Sequence, residues 1–590
     1  MPPTPPAGPS AGDPSLPARL RELAAQRGHQ RAFSFVEFPD PASPGVHRTV
    51  TWKRLYERAL AIGERLAQTA RPGDRAALLL PQGLDYVAAF LGCLYARVVA
   101  VPLFSPDLPG HAGRLAAVLD SCEPACVLSD TATAPLVERF HAEHGTAPVP
   151  LLCVDRLPAA PSAGAELPPD PDLHEVAYLQ YTSGSTRVPA GVMITHGNVV
   201  ANARQAVDAY WEPGTCVSWL PLFHDMGLVL SVAAPVVGGL PSVLMDPISF
   251  LEQPVRWLRL LGAYPATVGA APNFAYDYCA SRIDPQEAAV LRLDRVHALI
   301  NGAEPIRPGT LERFQEAFAD AGLRPEAMCP SYGLAEATVF VTTDPQDVPV
   351  RTVVCDRAAL GEGRIVAADA GDGSATALVA CGAPVGQELR VVSPEDGTPL
   401  PEGVVGEILL RGPNIGLGYW KRPEASTETF GARVPGEGDE PWLRTGDLGA
   451  MHEGRLLVTG RLKDLVIADG RNHYPQDIEE TIQSGVDSVR RDRLAVFSVP
   501  GGAGGEEEQV IAVAEYRRDV TPTDALRVEA DSVARARVSA EHGLRLSRVL
   551  LVPPGSVPRT SSGKVSRSAC RARYLDGGFG GESGGEAEGR

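Results

Sequence analysis

Short apolar runs alternate with longer amphipathic stretches through the early part of the chain, and that alternation restricts the fold more than any other feature. Residues 75–80 (RAALLL) read as a buried strand, 84–96 as a helix and 98–103 as the next strand. Residues 111–121 are again helical, and 125–128 form a further strand. Strands covered on both faces lose the polar–apolar alternation of a half-exposed sheet, and parallel neighbours need helical crossovers. The pattern therefore predicts an α/β fold, with parallel-type sheets flanked by helices. Past about residue 460 the pattern becomes mixed. Strands are expected near 494–499 and 510–516 and helices over 475–483 and 524–540, which suits a small α+β domain.

At 590 residues the chain exceeds what one compact core holds, so more than one domain is required. Hydrophobic residues make up 44% and charged residues 21%, the proportions of a folded globular protein. The net charge of −18 argues against general nucleic-acid binding, which needs Lys and Arg to neutralise phosphates. Ten scattered cysteines without a CxxC pair fit reduced, individually buried thiols better than a disulfide or zinc framework. Residues 1–17 carry seven prolines and are expected to be a disordered lead, and residues 576–590 a Gly-rich disordered tail. The N-terminus lacks the charged-then-apolar order of a secretory signal. Residues 226–245 are uncharged, but Pro235, Pro241 and the Gly238–Gly239 pair suit a buried wall better than a membrane span. A cytoplasmic protein without a membrane span is the expectation.

Five motifs carry chemistry. YTSGSTRVPAG (181–191) follows an expected strand over 176–181, and its small hydroxyl and glycine residues can turn backbone N–H groups and hydroxyls toward phosphate. PSYGLAEAT (330–338) supplies an aromatic, Tyr332, able to stack on a base, and a carboxylate, Glu336, able to hold a divalent cation. WLRTGDLG (442–449) sets Asp447 in a glycine-flanked turn, where a carboxylate can accept two hydrogen bonds from ribose hydroxyls. GRLKDLVIADGRNHYPQDIE (460–479) opens with Arg461 and Lys463, and PRTSSGKVSR (558–567) presents Lys564 in a Ser/Gly loop. Each also has an ordinary structural role, since turn carboxylates cap backbone and C-terminal lysines are solvated.

Together and in this order, over about residues 20–575, the five motifs resemble the adenylate-forming superfamily of acyl-CoA synthetases, luciferases and adenylation domains. LQYTSGSTRVPAGVMITHGN, WLPLFHDMGL, APNFAYDYC, NGAEPIRPGTLERF and GRNHYPQDIE resemble its fatty acyl-AMP ligase branch. The resemblance implies a large N-terminal adenylation domain over 18–460, including a β-barrel-like subdomain, and a small mobile C-terminal domain over 461–575. It also implies a family insertion near 345–380 that restrains the small domain and disfavours reaction with CoA. The implied activity is ATP-dependent conversion of a fatty acid to acyl-AMP, then transfer to the phosphopantetheine thiol of an acyl carrier protein. No carrier domain is evident on this chain, so a polyketide synthase or nonribosomal peptide synthetase carrier would act in trans.

By the same resemblance, Lys564 bridges the α-phosphate and the attacking carboxylate, and Glu336 holds Mg2+. Thr182, Ser183, Gly184, Ser185 and Thr186 cradle the phosphates of ATP. Gly302, Ala303, Glu304, Ser331, Tyr332 and Gly333 hold adenine, and Asp447 with Arg461 the ribose. His224 lies beside the acyl carboxylate and Lys463 is the hinge. Residues 226–245 and 270–279 are candidates for an apolar acyl tunnel, although core packing alone explains the same composition. Within the phosphate loop Arg187 and Ala190 replace the superfamily's usual glycine and lysine, and Arg187 is expected to restore the charge that Ala190 lacks. Nine Lys/Arg against one acid between Val533 and Leu575 suggest a basic docking face for an acidic carrier, or a merely solvated helix face. The alternatives are an acyl-CoA synthetase, an aryl- or amino-acid-adenylating ligase, or a non-catalytic acyl-adenylate-binding paralogue.

Overall fold

The computed structural model describes residues 13–108, 111–164, 168–182, 189–211, 214–369, 371–468, 471–500, 508–560 and 563–579. Two large sheets share one apolar core. The six-stranded sheet runs Leu151–Cys153, Cys126–Ser129, Arg75–Leu78, Val99–Pro102, Val176–Tyr181 and Gly191–Thr195 in spatial order. All its pairings are parallel except the last, a hairpin from Val176–Tyr181 to Gly191–Thr195. The nine-stranded sheet has a parallel centre that includes Thr267–Pro272, Val296–Gly302 and Met328–Tyr332, with antiparallel strands at both edges. The helix Leu84–Tyr95 is buried along every residue from Tyr86 to Tyr95, as a helix apolar all round must be.

Local chemistry sets the element ends. At the His196–Tyr210 helix, Thr195 accepts from the Asn198 N–H while Asn198 accepts from the Thr195 N–H, a reciprocal capping box. The expected disordered lead ends earlier than residue 17. The first helix is Leu16–Arg27, with Leu16 and Pro17 already buried. Pro17 occupies the first turn, where its fixed φ favours helix and its missing N–H costs nothing, so the last proline of the lead starts structure. Likewise Phe579 lies 4.8 Å under the Arg573 guanidinium, so packing extends into the expected tail. The rest of the lead and tail, 1–12 and 580–590, lie outside the described residues.

A four-stranded antiparallel sheet follows, ordered Glu388–Val392, Gly406–Arg411, Leu443–His452, Arg455–Arg461. It fills the place expected for a β-barrel-like subdomain. The small C-terminal region has three strands, Val489–Val499, Gln509–Tyr516 and Leu546–Val552, and the helices Pro475–Gly485 and Asp524–His542. Among its described residues a buried ionic group joins helix and strand. Glu479 accepts from Arg567 at 2.6 and 2.7 Å and from the Val496 N–H at 3.0 Å, and Asp464 lies 3.3 Å from Arg567. All ten cysteines are free, nine of them buried and Cys153 half-buried. No described helix is long and apolar enough to cross a membrane; residues 226–245 fold as short helices, one π-helical turn and the strand Ser242–Met245.

Residues 345–380 pack between the two regions. Strands Thr352–Asp356 and Ala375–Val379 pair antiparallel around the short helix Arg357–Gly361. Cys355, Leu360 and Leu378 form an apolar cluster with Leu448 and Leu457 on one side and Tyr474 on the other. Arg357 reaches the end of the Asp524–His542 helix, where its guanidinium lies 3.4 Å from Nδ1 of His542. Nε2 of the same ring is 2.8 Å from Thr481 Oγ1. Burial and the facing Arg357 pull the His542 imidazole down to about 4. The folded state thus resists protonation while the unfolded chain protonates near 6.5, so stability is complete above that pH and is lost as pH falls toward 4. Wild type is expected to lose more of its denaturation midpoint than His542→Gln between pH 7.5 and 4.5; equal losses would remove His542 as the cause.

Candidate active site

The candidate site forms where parallel strands end, the usual ligand position in such sheets. Val296–Gly302 and Met328–Tyr332 are adjacent, and the approach of their ends is tight. A Cβ on Gly302 would stand 2.9 Å from the Ser331 carbonyl oxygen, and one on Gly333 only 1.7 Å from that of Val339. Ala303 follows at φ +69°, a left-handed conformation that costs a non-glycine residue energy and marks sites that the surrounding fold holds in place. Glu304 Oε1 accepts the Phe274 N–H at 2.7 Å, which ties this turn to the start of the Asn273–Arg282 helix.

Tyr332 and Asp447 meet directly. The Tyr332 hydroxyl donates to Asp447 Oδ2 at 2.7 Å and Arg461 Nε donates to Oδ1 at 3.0 Å, so both carboxylate oxygens are directed. Asp447 lies within the strand Leu443–His452 and not in the expected glycine-flanked turn: Gly446 at φ +69° sits where the pairing with Gly406–Arg411 slips, and this bulge leaves Asp447 opposite Arg461. Glu336 sits in the turn Ala335–Ala337, where its Oε1 accepts the Tyr419 hydroxyl at 2.8 Å. Burial raises its carboxyl above the ordinary range. The backbone around Tyr419 is bridged to the hairpin strand at Val192, so Glu336 is tied to the strand Gly191–Thr195.

Lys564 arrives from the small domain. Its backbone N–H donates to Thr560 Oγ1 at 3.2 Å, closing the loop around it. Burial pulls its ammonium below the usual lysine value, while Glu304 and Asp225 face it as counter-charges from the large domain. Asp225 would be raised by burial, but His224 and Lys564 hold it below its ordinary value. His224 Nδ1 is 3.6 Å from Asp225 Oδ1, and its buried Nε2 has no hydrogen-bond partner in the structure. Other buried polar atoms among the described residues are open too, His196 Nδ1 for one, so this nitrogen is set apart by its place beside Asp225.

A family model described as AMP-binding enzyme matches residues 20–420, and one described as Disco-interacting protein 2-like, AMP domain, matches 463–581. The chain is 42% identical to a long-chain-fatty-acid--AMP ligase, FadD26, of Mycobacterium marinum, over 96% of this chain and 98% of that one. It is 40% identical to a 4-hydroxyphenylalkanoate adenylyltransferase of the same species, over 96% and 92%. A solved structure from a study of fatty acyl-adenylate ligases of E. coli and L. pneumophila superposes with a TM-score of 0.84, at 32% identity over 97% and 99% of the two chains. This chain belongs to the fatty acyl-AMP ligase family.

In this ligase the sequence-derived residues divide into those that converge and those that do not. Glu304, Asp447, Arg461 and Lys564 share one electrostatic neighbourhood, and Tyr332 is bound to Asp447. Ser331 directs its hydroxyl inward instead, 2.6 Å from the Tyr210 hydroxyl and donating to the Cys329 carbonyl at 3.0 Å. Lys463 is exposed in the turn Leu462–Asp464. Thr182 donates its N–H to the Ala190 carbonyl at 3.2 Å and accepts from Arg114 at its own carbonyl. Ser183, Gly184, Ser185, Thr186 and Arg187 lie outside the described residues. The basic run divides too. Arg535, Arg537 and Arg567 are held by carboxylates and Arg559, Arg571 and Arg573 by carbonyls, so with Lys564 in the site the exposed Arg545 and Arg548 remain. Asp225, Tyr419 and Arg114 were not singled out by the motifs, although HDMG spells Asp225 beside His224.

Proposed function

We propose that this ligase joins a long-chain fatty acid to AMP and passes the acyl group to an acyl carrier protein. The placement of Lys564 carries the reading, because a cation brought from the small domain into the field of Glu304, Asp225 and Asp447 suits the meeting of two anions. In the first step a carboxylate oxygen attacks the α-phosphorus of ATP and the bond to pyrophosphate breaks. Lys564 offsets the negative charge that gathers between the two, as preorganised donors do. Asp447 and Arg461 hold the ribose, and Tyr332 with Gly302–Glu304 lines the adenine. His224 offers its open Nε2 to the acyl carboxylate. The phosphates rest on the loop after Thr182.

Magnesium fits the donor set. This ion is held by one or two carboxylates plus substrate phosphates, and Glu336 supplies one carboxylate. No group of three or more His, Cys, Asp or Glu among the described residues could hold a metal ion unaided. When bound it would neutralise charge on the β- and γ-phosphates.

In the second step the small domain turns about Lys463 and a phosphopantetheine thiol attacks the acyl carbonyl, releasing AMP. We read residues 345–380, wedged against Tyr474 and His542, as the insertion that disfavours CoA. Arg545 and Arg548 remain for an acidic carrier. ATP and a carrier partner put the activity in the cytoplasm. The relative that adenylates 4-hydroxyphenylalkanoates favours a second reading, in which the acyl tail ends in a phenol. Mass spectrometry of products from ATP, magnesium and a panel of fatty and 4-hydroxyphenylalkanoic acids, with and without CoA, tests both. Acyl-adenylate that persists in the presence of CoA is expected, and full conversion to acyl-CoA would overturn the ligase assignment.

A further inference from the structure

We propose that Arg307 and Asp492 form the latch that seats the small domain in the pose where Lys564 faces Glu304 and Asp225. Arg307 belongs to the large domain and lies three residues after Glu304. Its backbone N–H donates to Asn273 Oδ1 at 3.3 Å, and Glu304 is clamped to the next residue, Phe274. Both side chains therefore ride on one rigid turn against the same helix start. The Arg307 guanidinium crosses to the small domain, 2.6 Å from Asp492 Oδ1 and 3.4 Å from Glu480 Oε2.

Asp492 is placed for this contact at a backbone cost. The register of Val489–Val499 against Gln509–Tyr516 slips between Val489 and Leu494, and Asp492 stands at φ +54° within the slip. Bulges of this kind re-aim a side chain near functional sites, and aspartate tolerates the left-handed conformation better than most residues. The Asp492 N–H is satisfied by Gln483 Oε1, so the helix Pro475–Gly485 supports the bulge. A small polar crevice borders Arg307 and is lined by Asp277, Arg313, Glu480, Gln483 and Arg491 as well. Arg313 is taken by Asp277 at 2.6 Å, which leaves Arg307 as the cation that spans the domains there. Without it, Asp492 and Glu480 would lose their partner from the large domain, and only cations of the small domain such as Arg493 and Arg559 would remain near Asp492.

Arg307 is a positioning residue that acts through Lys564. The proposal rests on the adenylation reading for its kinetic arm, while its distance arm needs no substrate. Spin labels at Val290→Cys on the large domain and Val528→Cys on the small domain, both exposed in the parent, report the pose in a Cys153→Ser background. The parent is expected to give one dominant distance. Arg307→Ala and Asp492→Asn should each add a second, longer population, and Arg307→Lys should restore part of the first. Pyrophosphate release with ATP and dodecanoic acid should fall about tenfold in kcat in both charge-removing variants, with the ATP KM within about twofold. Unchanged distances in Arg307→Ala, or a shift in that variant that Asp492→Asn does not share, would overturn the latch. If dodecanoic acid is not a substrate of the parent, the distances alone decide.

Discussion

Replacing Lys564 with alanine is expected to slow pyrophosphate release from ATP and a fatty acid by roughly 10²–10³-fold, the usual cost of removing one preorganised charge from a transition state. The ATP KM should change by less than about threefold, because Asp447, Tyr332 and Arg461 belong to the large domain and its edge and are untouched. Burial already lowers the lysine's affinity for its proton, and Glu304 and Asp225 partly offset that. The working form is the ammonium, so the rate should fall on the alkaline side at a lower pH than a free lysine would set. Single-turnover measurement of acyl-adenylate separates this step from release of product. A Lys564→Ala rate within threefold of the parent would remove the residue from the chemistry.

The largest loss of stability is expected from Arg567→Ala. Its partner Glu479 is 5% exposed and would be left as a buried carboxylate with one backbone N–H to satisfy it. Stranding a buried charge costs about 3–5 kcal/mol, more than the intact pair contributes against an apolar pair of the same shape. The double variant Arg567→Met, Glu479→Gln is therefore expected to recover most of the loss. Hydrogen exchange in Val489–Val499, which receives the Glu479 contact, reads the small domain without assuming that the whole chain unfolds as one unit. A single variant as stable as the parent would mean that water reaches Glu479.

What the sequence reveals and what it hides follow from the range of the forces involved. The strand over 176–181 is found as expected, and the helices over 84–96 and 524–540 differ by one or two residues at their ends. These elements are set by local apolar patterning, which any window along the chain samples. The motif residues are legible because their glycines mark irregular backbone, although at Gly446 that irregularity is a bulge within a strand and not the expected turn. Their partners are not. Tyr419 lies 83 positions from Glu336 and Asp492 lies 185 from Arg307, and nothing local marks either pair. Ser331 sits in the right motif, but its hydroxyl turns to Tyr210, a pairing across 121 positions. The basic run near the C-terminus misleads in part for the same reason, because Arg567 is taken by Glu479 across 88 positions, whereas Arg535 and Arg537 pair with acids of their own helix.

Nine free thiols inside the core are shielded from the redox state around the protein. Burial pushes the Cys329 and Cys355 thiols up to about 11 and that of Cys216 to about 12, so almost no thiolate forms at neutral pH. Peroxide meets one half-buried sulfur, Cys153, and that thiol too is raised by burial. Cys153 is therefore the sulfur where oxidation is expected to begin.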